Sequence, residues 1–205
     1  MKSISTEPLC SRDGEDHAAR DTGVRCDFKM IHIHIIGTNH EYQNGENVTK
    51  EDILSFKAYL EFICQQYSIK AIAEEMNREA LSEVNQLSST CESLAEELSI
   101  VHRYCDPDRT ERKKLGIRQE NDVRLNGFSS RMTEEEIRDL IRNENVKREN
   151  IWLKHIQEIN IFPLLFVCGA NHVNSFSKIT SSSGFLCNIL CDDWTPIKPM
   201  NQIGL

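Results

Sequence analysis

The sequence predicts an α/β fold, a mixed, largely parallel sheet with helices on both faces, and three observations predict it. Short β-branched or apolar runs end abruptly at Gly or Glu; segments with apolar residues at helical spacing lie between them; and 205 residues, 39% hydrophobic and 27% charged, suit a single domain with one substantial core. Strands that alternate with helices along a chain pair in parallel, because each helical crossover returns the chain to the same end of the sheet.

Residues 1–27 mix Ser, Thr, Asp, Glu and Arg without apolar periodicity and are expected to form a flexible tail, leaving the α/β domain to residues 28–205. Ile31–Ile36 reads Ile-His-Ile-His-Ile-Ile, a strand stopped by Gly37 that places His32 and His34 on one face. Thr49 and Asp52 make a capping-box pair ahead of Ile53, Phe56, Leu60, Ile63 and Tyr67, the stripe of an amphipathic helix. Ile69–Ala73 is a short buried strand that delivers Glu74 and Glu75 at its carboxyl end.

Residues 77–98 read as helical with a break at Ser88-Ser89-Thr90, where Ser89 and Glu92 open the second piece, and Ile100-Val101 reads as a short strand. Residues 102–127 are rich in Arg, Lys, Asp and Asn and are expected to be an extended loop with one helical turn. Thr133 with Glu136 opens a long helix whose stripe is Ile137, Leu140, Ile141, Ile151, Trp152, Ile156 and Ile159. Leu164–Cys168 is a second continuous apolar strand ended by Gly169. Val173–Ser183 is a helix closed by Gly184, and Phe185–Leu190 is the last strand, followed by Asp192 and Asp193.

A net charge of −8, from 24 basic and 32 acidic residues, argues against duplex nucleic acid or an anionic membrane surface as partners. No run approaches the roughly 18 apolar residues of a spanning helix, and residues 1–29 carry no apolar export segment, so a soluble cytoplasmic protein is expected. Eight scattered cysteines fit reduced thiols better than a disulfide framework.

The chemistry concentrates in a repeated design: an apolar strand followed by Gly-x-x-His, once as Gly37-Thr38-Asn39-His40 and again as Gly169-Ala170-Asn171-His172. Ligands of open α/β sheets bind at the carboxyl edge of the strands, where both histidines and the Glu74-Glu75 pair emerge. A helix N-terminus after His172 would hold that imidazole neutral. Neutral imidazole with carboxylate is a metal-binding kit, so His40, His172, Glu74 and Glu75 are candidate ligands of a divalent ion, with His34 added from the neighbouring strand face. Arg148 falls within the apolar stripe of the long helix and needs an anionic partner, either a glutamate of the pair or a substrate oxyanion. His155, on nearly the same face, is expected to be a hydrogen-bonded core histidine. Arg109 and Arg112, three apart, are candidate substrate-binding residues able to face one anion. Cys168 reads as a small core residue, and Asp192 and Asp193 as an acidic loop.

Paired Gly-x-x-His motifs with Glu and Arg between them resemble the TraB/TIKI-like proteins, within a wider set that includes the erythromycin esterase and ChaN types. The resemblance spans about Ile31 to Leu190 and rests on Gly37–His40, Glu74-Glu75, Arg148-Glu149-Asn150 and Gly169–His172. It implies a hydrolase whose catalytic set is His40, Glu74 or Glu75, Arg148 and His172, acting on a peptide, ester or related bond of a small-molecule or peptide substrate. It also implies a divalent metal, Mn, Co or Zn, as cofactor. The chain departs from the family where a single Glu, a hydrophobic residue and Asp are usual: here stands Glu74-Glu75-Met76-Asn77, which leaves either glutamate as the functional one. Two alternatives stand beside metal-assisted hydrolysis: metal-free chemistry with His40 as general base, and a non-catalytic module for an anionic ligand.

Overall fold

The computed structural model describes residues 31–197; the amino-terminal tail expected over 1–27 lies outside that range. β1 (His32–Thr38) leads through a short helix α1 (His40–Asn44) into α2 (Lys50–Gln66), then β2 (Ala71–Glu74), α3 (Arg78–Glu83), α4 (Thr90–Leu98) and β3 (Val101–Tyr104). There follow α5 (Arg109–Lys114), α6 (Glu120–Ser129), the long α7 (Glu134–Ile159), β4 (Leu164–Gly169), a 3-10 turn (Ala170–His172), α8 (Val173–Ser182) and β5 (Leu186–Trp194).

The helix starts are where the capping residues put them. Thr49 and Asp52 exchange side-chain and backbone hydrogen bonds at the head of α2, Thr133 and Glu136 do the same for α7, and the Ser89 side chain accepts from the Glu92 amide at the head of α4. Residues 102–127 are not the extended loop expected from their composition. β3 continues through His102 and Arg103 to Tyr104, and two helices follow. α5 has no buried residue and α6 buries only Val123 and Gly127, so neither carries the apolar stripe that announces a helix. The last strand likewise runs past Leu190, through Asp192 and Asp193, to Trp194.

All five strands are parallel, in the order β3-β2-β4-β1-β5. Two helical layers cover the sheet. Trp152, Leu153 and Ile156 of α7 with Val173 and Phe176 of α8 pack on Ile33, Ile35, Ala71, Ala73 and Phe166. Phe56, Leu60 and Ile63 of α2 with Cys91, Leu94 and Ala95 of α4 pack on the opposite face, against Ile36, Ile72, Leu165 and Val167. No helix among the described residues is long and apolar enough to cross a membrane.

Register decides what meets at the carboxyl edge. Thr38 pairs with Gly169 and Glu74 pairs with Val167, so the ends of β1, β2 and β4 come level, with β4 in the middle. Gly37 makes that approach possible: a Cβ there would lie 2.0 Å from the backbone oxygen of Asp192 and 2.4 Å from Cγ2 of Val173. Because the nearer atom is backbone, rotamer changes cannot relieve it. Gly37→Ala is expected to destabilise the fold by about 3 kcal/mol, at the upper end of overpacking effects, as read by urea unfolding.

Candidate active site

A cleft of about 590 Å³ opens at the carboxyl edge of the sheet, and His40, Glu75, Asp106, Arg112, Arg148 and His172 are among its lining residues. Each arrives from a different segment: the head of α1, the end of β2, the turn after β3, α5, α7 and the 3-10 turn after β4. The two Gly-x-x-His motifs thus do the same job on adjacent strands, each sending its imidazole over the sheet edge.

Consecutive residues of a strand point to opposite faces, so two glutamates in a row at the end of β2 cannot share a site. Ala71 and Ala73 face α7 and α8, and Glu75 follows them into the cleft; Ile72 faces α2 and α4, and Glu74 follows it away. Glu74 is fully buried, accepting from Gln43 Nε2 at 2.9 Å, from His102 Nε2 at 2.8 Å and from the Ser89 hydroxyl. Of the two glutamates Glu75 is therefore the one in the cleft, and the expectation that Glu74 touches substrate or a shared metal is corrected by strand alternation.

Glu75 is the hub. Its Oε1 accepts from Arg148 Nη2 at 2.8 Å and its Oε2 from the Gly169 amide at 2.9 Å, while His172 Nε2 and His40 Nε2 stand 3.5 and 3.7 Å from Oε1. Burial pushes this carboxyl group up, but the two imidazoles, the Arg148 guanidinium and the Gly169 N–H outweigh it, so its pKa is lowered. Arg148 is shared: Nε and Nη2 also donate to Asp106 Oδ1 at 3.0 and 2.8 Å, and the guanidinium lies over the Trp152 ring, 5.3 Å from its centroid. Asp106 accepts as well from Trp152 Nε1 at 3.0 Å and from Arg112.

Both imidazoles are tied at Nδ1 and present Nε2. His172 Nδ1 is 2.8 Å from Glu149 Oε1, which also accepts from the Ser175 hydroxyl; His40 Nδ1 is 2.9 Å from Gln43 Oε1. The helix N-terminus was expected to keep His172 neutral, and here the balance runs the other way. Burial disfavours the imidazolium, but the Glu149 hydrogen bond and the charge of Glu75 outweigh both burial and Arg148, so the pKa of His172 is raised. A raised value stabilises the fold below about pH 6.5, the unfolded value, and that contribution is lost as pH rises through the higher folded value. Wild-type stability is expected to fall across that window, and His172→Gln to flatten the slope there, as followed by urea unfolding at stepped pH.

Other expected site residues lie elsewhere. His34 is buried at mid-strand, paired in register with Leu165 and Asn188, its ring 4.5 Å from that of Tyr67; it faces the α2 layer and not the cleft, so it joins no metal set. Arg109 and Arg112 do not face one anion. Arg109 is exposed and pairs with Glu79 and Glu83, whereas Arg112 lines the cleft but is committed to Asp106 and the Pro107 carbonyl. His155 is a hydrogen-bonded histidine, Nδ1 3.0 Å from the Cys105 carbonyl. Cys168 is buried in the core and its thiol is pushed well up, chiefly by burial. Asp193 lines the cleft, whereas Asp192 supplies the backbone that crowds Gly37.

Gln43, Asp106 and Glu149 are partners of the site that were not among the expected functional residues. Two were within reach of spacing alone: Gln43 stands three residues after His40, one helical turn on, and Glu149 directly follows Arg148 in the motif already singled out.

For a divalent ion, His40 Nε2, His172 Nε2 and Glu75 Oε1 fit in donor type, and their 3.5 and 3.7 Å separations suit neighbouring ligands bound at about 2.1 Å. Valence is the competing consideration. Arg148 and the Gly169 amide already occupy the two carboxylate oxygens, and among the described residues no group of three His, Cys, Asp or Glu side chains is arranged to hold a metal. An ion would have to share Oε1 with the guanidinium.

What the fold and cleft define is a class: a parallel α/β domain with an imidazole–carboxylate–guanidinium site at its carboxyl edge. No family model, no curated protein and no solved structure matches the chain.

Proposed function

We propose that this cleft is a hydrolytic active site in which His40 and His172 divide proton transfer across the Glu75–Arg148 pair. One observation carries the reading: two imidazoles, each tied at Nδ1, place their Nε2 atoms 3.5 and 3.7 Å from the same carboxylate oxygen. Nothing in core packing calls for such convergence.

The roles follow from the partners. His40, with 45% of its side chain exposed and a neutral amide at Nδ1, takes a proton at Nε2 from an attacking water. His172, buried against Glu149 and with a raised pKa, gives its proton to the leaving group as general acid. Glu75 stays ionised between them and steadies positive charge on whichever imidazole carries the proton. Arg148 keeps Glu75 ionised and in place, so its role is positioning. The substrate class is a neutral or cationic ester or amide, small-molecule or peptide. The cleft presents Glu75, Asp106, Glu120 and Asp193 against Arg112 and Arg148, and those two arginines are already engaged by Asp106 and Glu75. This charge balance disfavours the anion-binding module. The paired Gly-x-x-His motifs support a TraB/TIKI-like assignment, and the free thiols Cys64, Cys91, Cys105 and Cys168 suit a cytoplasmic setting.

A second reading rests on donor type and the two distances from Glu75 Oε1: His40, His172 and Glu75 would hold a divalent ion such as Mn, Co or Zn that shares Oε1 with Arg148. Such an ion would lower the pKa of a bound water and polarise the scissile carbonyl. Chelation separates the two: the acid–base reading expects esterase turnover of p-nitrophenyl acetate to survive treatment with EDTA, and elemental analysis to find substoichiometric metal. Turnover lost on chelation and restored by one added metal would replace it with the second reading, while failure of wild-type protein to exceed buffer on an ester and amide panel would remove both.

A further inference from the structure

Gln43 is fully buried, and both ends of its amide are engaged: Oε1 faces His40 Nδ1 at 2.9 Å and Nε2 donates to Glu74 Oε2 at 2.9 Å. Glu74, also fully buried, takes two more hydrogen bonds on Oε1, from His102 Nε2 at 2.8 Å and from Ser89. Gln43 Nε2 and the Ser89 hydroxyl both donate to Glu74, so the NH₂ end of the Gln43 amide faces Glu74 and the carbonyl end is turned toward His40. A carbonyl oxygen only accepts. The proton on neutral His40 must therefore sit on Nδ1, and Nε2, 3.7 Å from Glu75 Oε1 and not hydrogen-bonded to it, keeps its lone pair for a water in the cleft.

We infer that Gln43 is a positioning residue that fixes the tautomer of His40, with Glu74 setting the amide from behind. The inference rests on the reading of His40 as general base. It gives the glutamate on the far face of β2 a task at the site it does not touch, and it gives the five-residue α1 a reason to carry His40 and Gln43 one turn apart. It also separates the two histidines. His172 has a carboxylate directly at Nδ1, which favours the protonated ring, whereas the glutamine spacer orients His40 without placing that charge beside it.

The test is ¹⁵N NMR of imidazole-labelled full-length protein at alkaline pH, with p-nitrophenyl acetate kinetics alongside. Wild-type His40 is expected to be protonated at Nδ1 and bare at Nε2. Gln43→Met, close in shape but unable to accept at that position, is expected to mix the tautomers and to lower kcat about tenfold or more with little change in KM, consistent with impaired general-base catalysis. An Nε2-protonated wild-type ring overturns the inference, as does a folded Gln43→Met protein with the wild-type tautomer. Should that variant fail to fold, the wild-type spectrum decides by itself. If the tautomer behaves as expected but wild-type protein hydrolyses nothing, the relay stands and the hydrolase reading is what fails.

Discussion

Replacing Arg148 with methionine is expected to destabilise the protein by about 3–5 kcal/mol at neutral pH, the cost of leaving buried charge uncompensated. The side chain is 16% exposed and joins Glu75 and Asp106, which are 3% and 5% exposed. After the substitution Asp106 keeps Arg112 and Trp152 Nε1, but Glu75 keeps only the Gly169 amide as a close donor. Its pKa must then climb, because the charge that opposed burial has gone. The penalty is accordingly expected to shrink as pH falls into the ordinary carboxylate range and Glu75 takes up a proton. Adding Glu75→Gln should recover part of the loss, whereas Arg148→Lys should recover little, since one ammonium cannot reproduce a guanidinium bridging two carboxylates. Urea unfolding measures all three; a loss under 1 kcal/mol for Arg148→Met would mean that solvent already screens the pair.

His40→Ala and His172→Ala are each expected to lower kcat for ester hydrolysis by about 10²- to 10⁴-fold, the usual worth of a positioned acid or base. Stability should divide them. His40 is half exposed at the cleft mouth and its removal should change unfolding little, while His172 is buried against Glu149 and Trp152 and its removal leaves that buried carboxylate with the Ser175 hydroxyl alone. If the two imidazoles work as a unit across Glu75, the double variant should lose far less than the product of the single effects. Multiplicative losses would mean that the two imidazoles contribute independently.

Much of the architecture was legible because it rests on local signals. Capping pairs such as Thr49–Asp52 and Thr133–Glu136, and apolar runs cut off by Gly37 and Gly169, fix where helices begin and strands end whatever surrounds them. Residues 102–127 were opaque for the converse reason. α5 buries no side chain and α6 meets α7 only around Val123 and Gly127, and apolar periodicity cannot reveal a helix that buries so little; the Asp108–Glu111 capping box was an available sign. At the site, Gly-x-x-His located both imidazoles, and the stripe position of Arg148 demanded an acid. Choosing between Glu74 and Glu75 needed the side of the sheet on which α7 packs, which no local pattern carries. His34 was misplaced by the same gap: alternation puts it on a face, but its register with Leu165 leaves it too far down the strand to reach the edge. Spacing put Gln43 beside His40 and Glu149 beside Arg148, but Asp106 carried no such sign, and what each of the three holds is seen only in the assembled geometry.

The most direct measurement compares initial rates of p-nitrophenyl acetate hydrolysis by EDTA-treated wild-type protein and by the His40→Ala/His172→Ala double variant, both confirmed folded by circular dichroism. Two imidazoles flanking Glu75 as an acid–base pair require the wild type to be faster by at least about 10². Equal rates from the two proteins would contradict a catalytic role for the cleft.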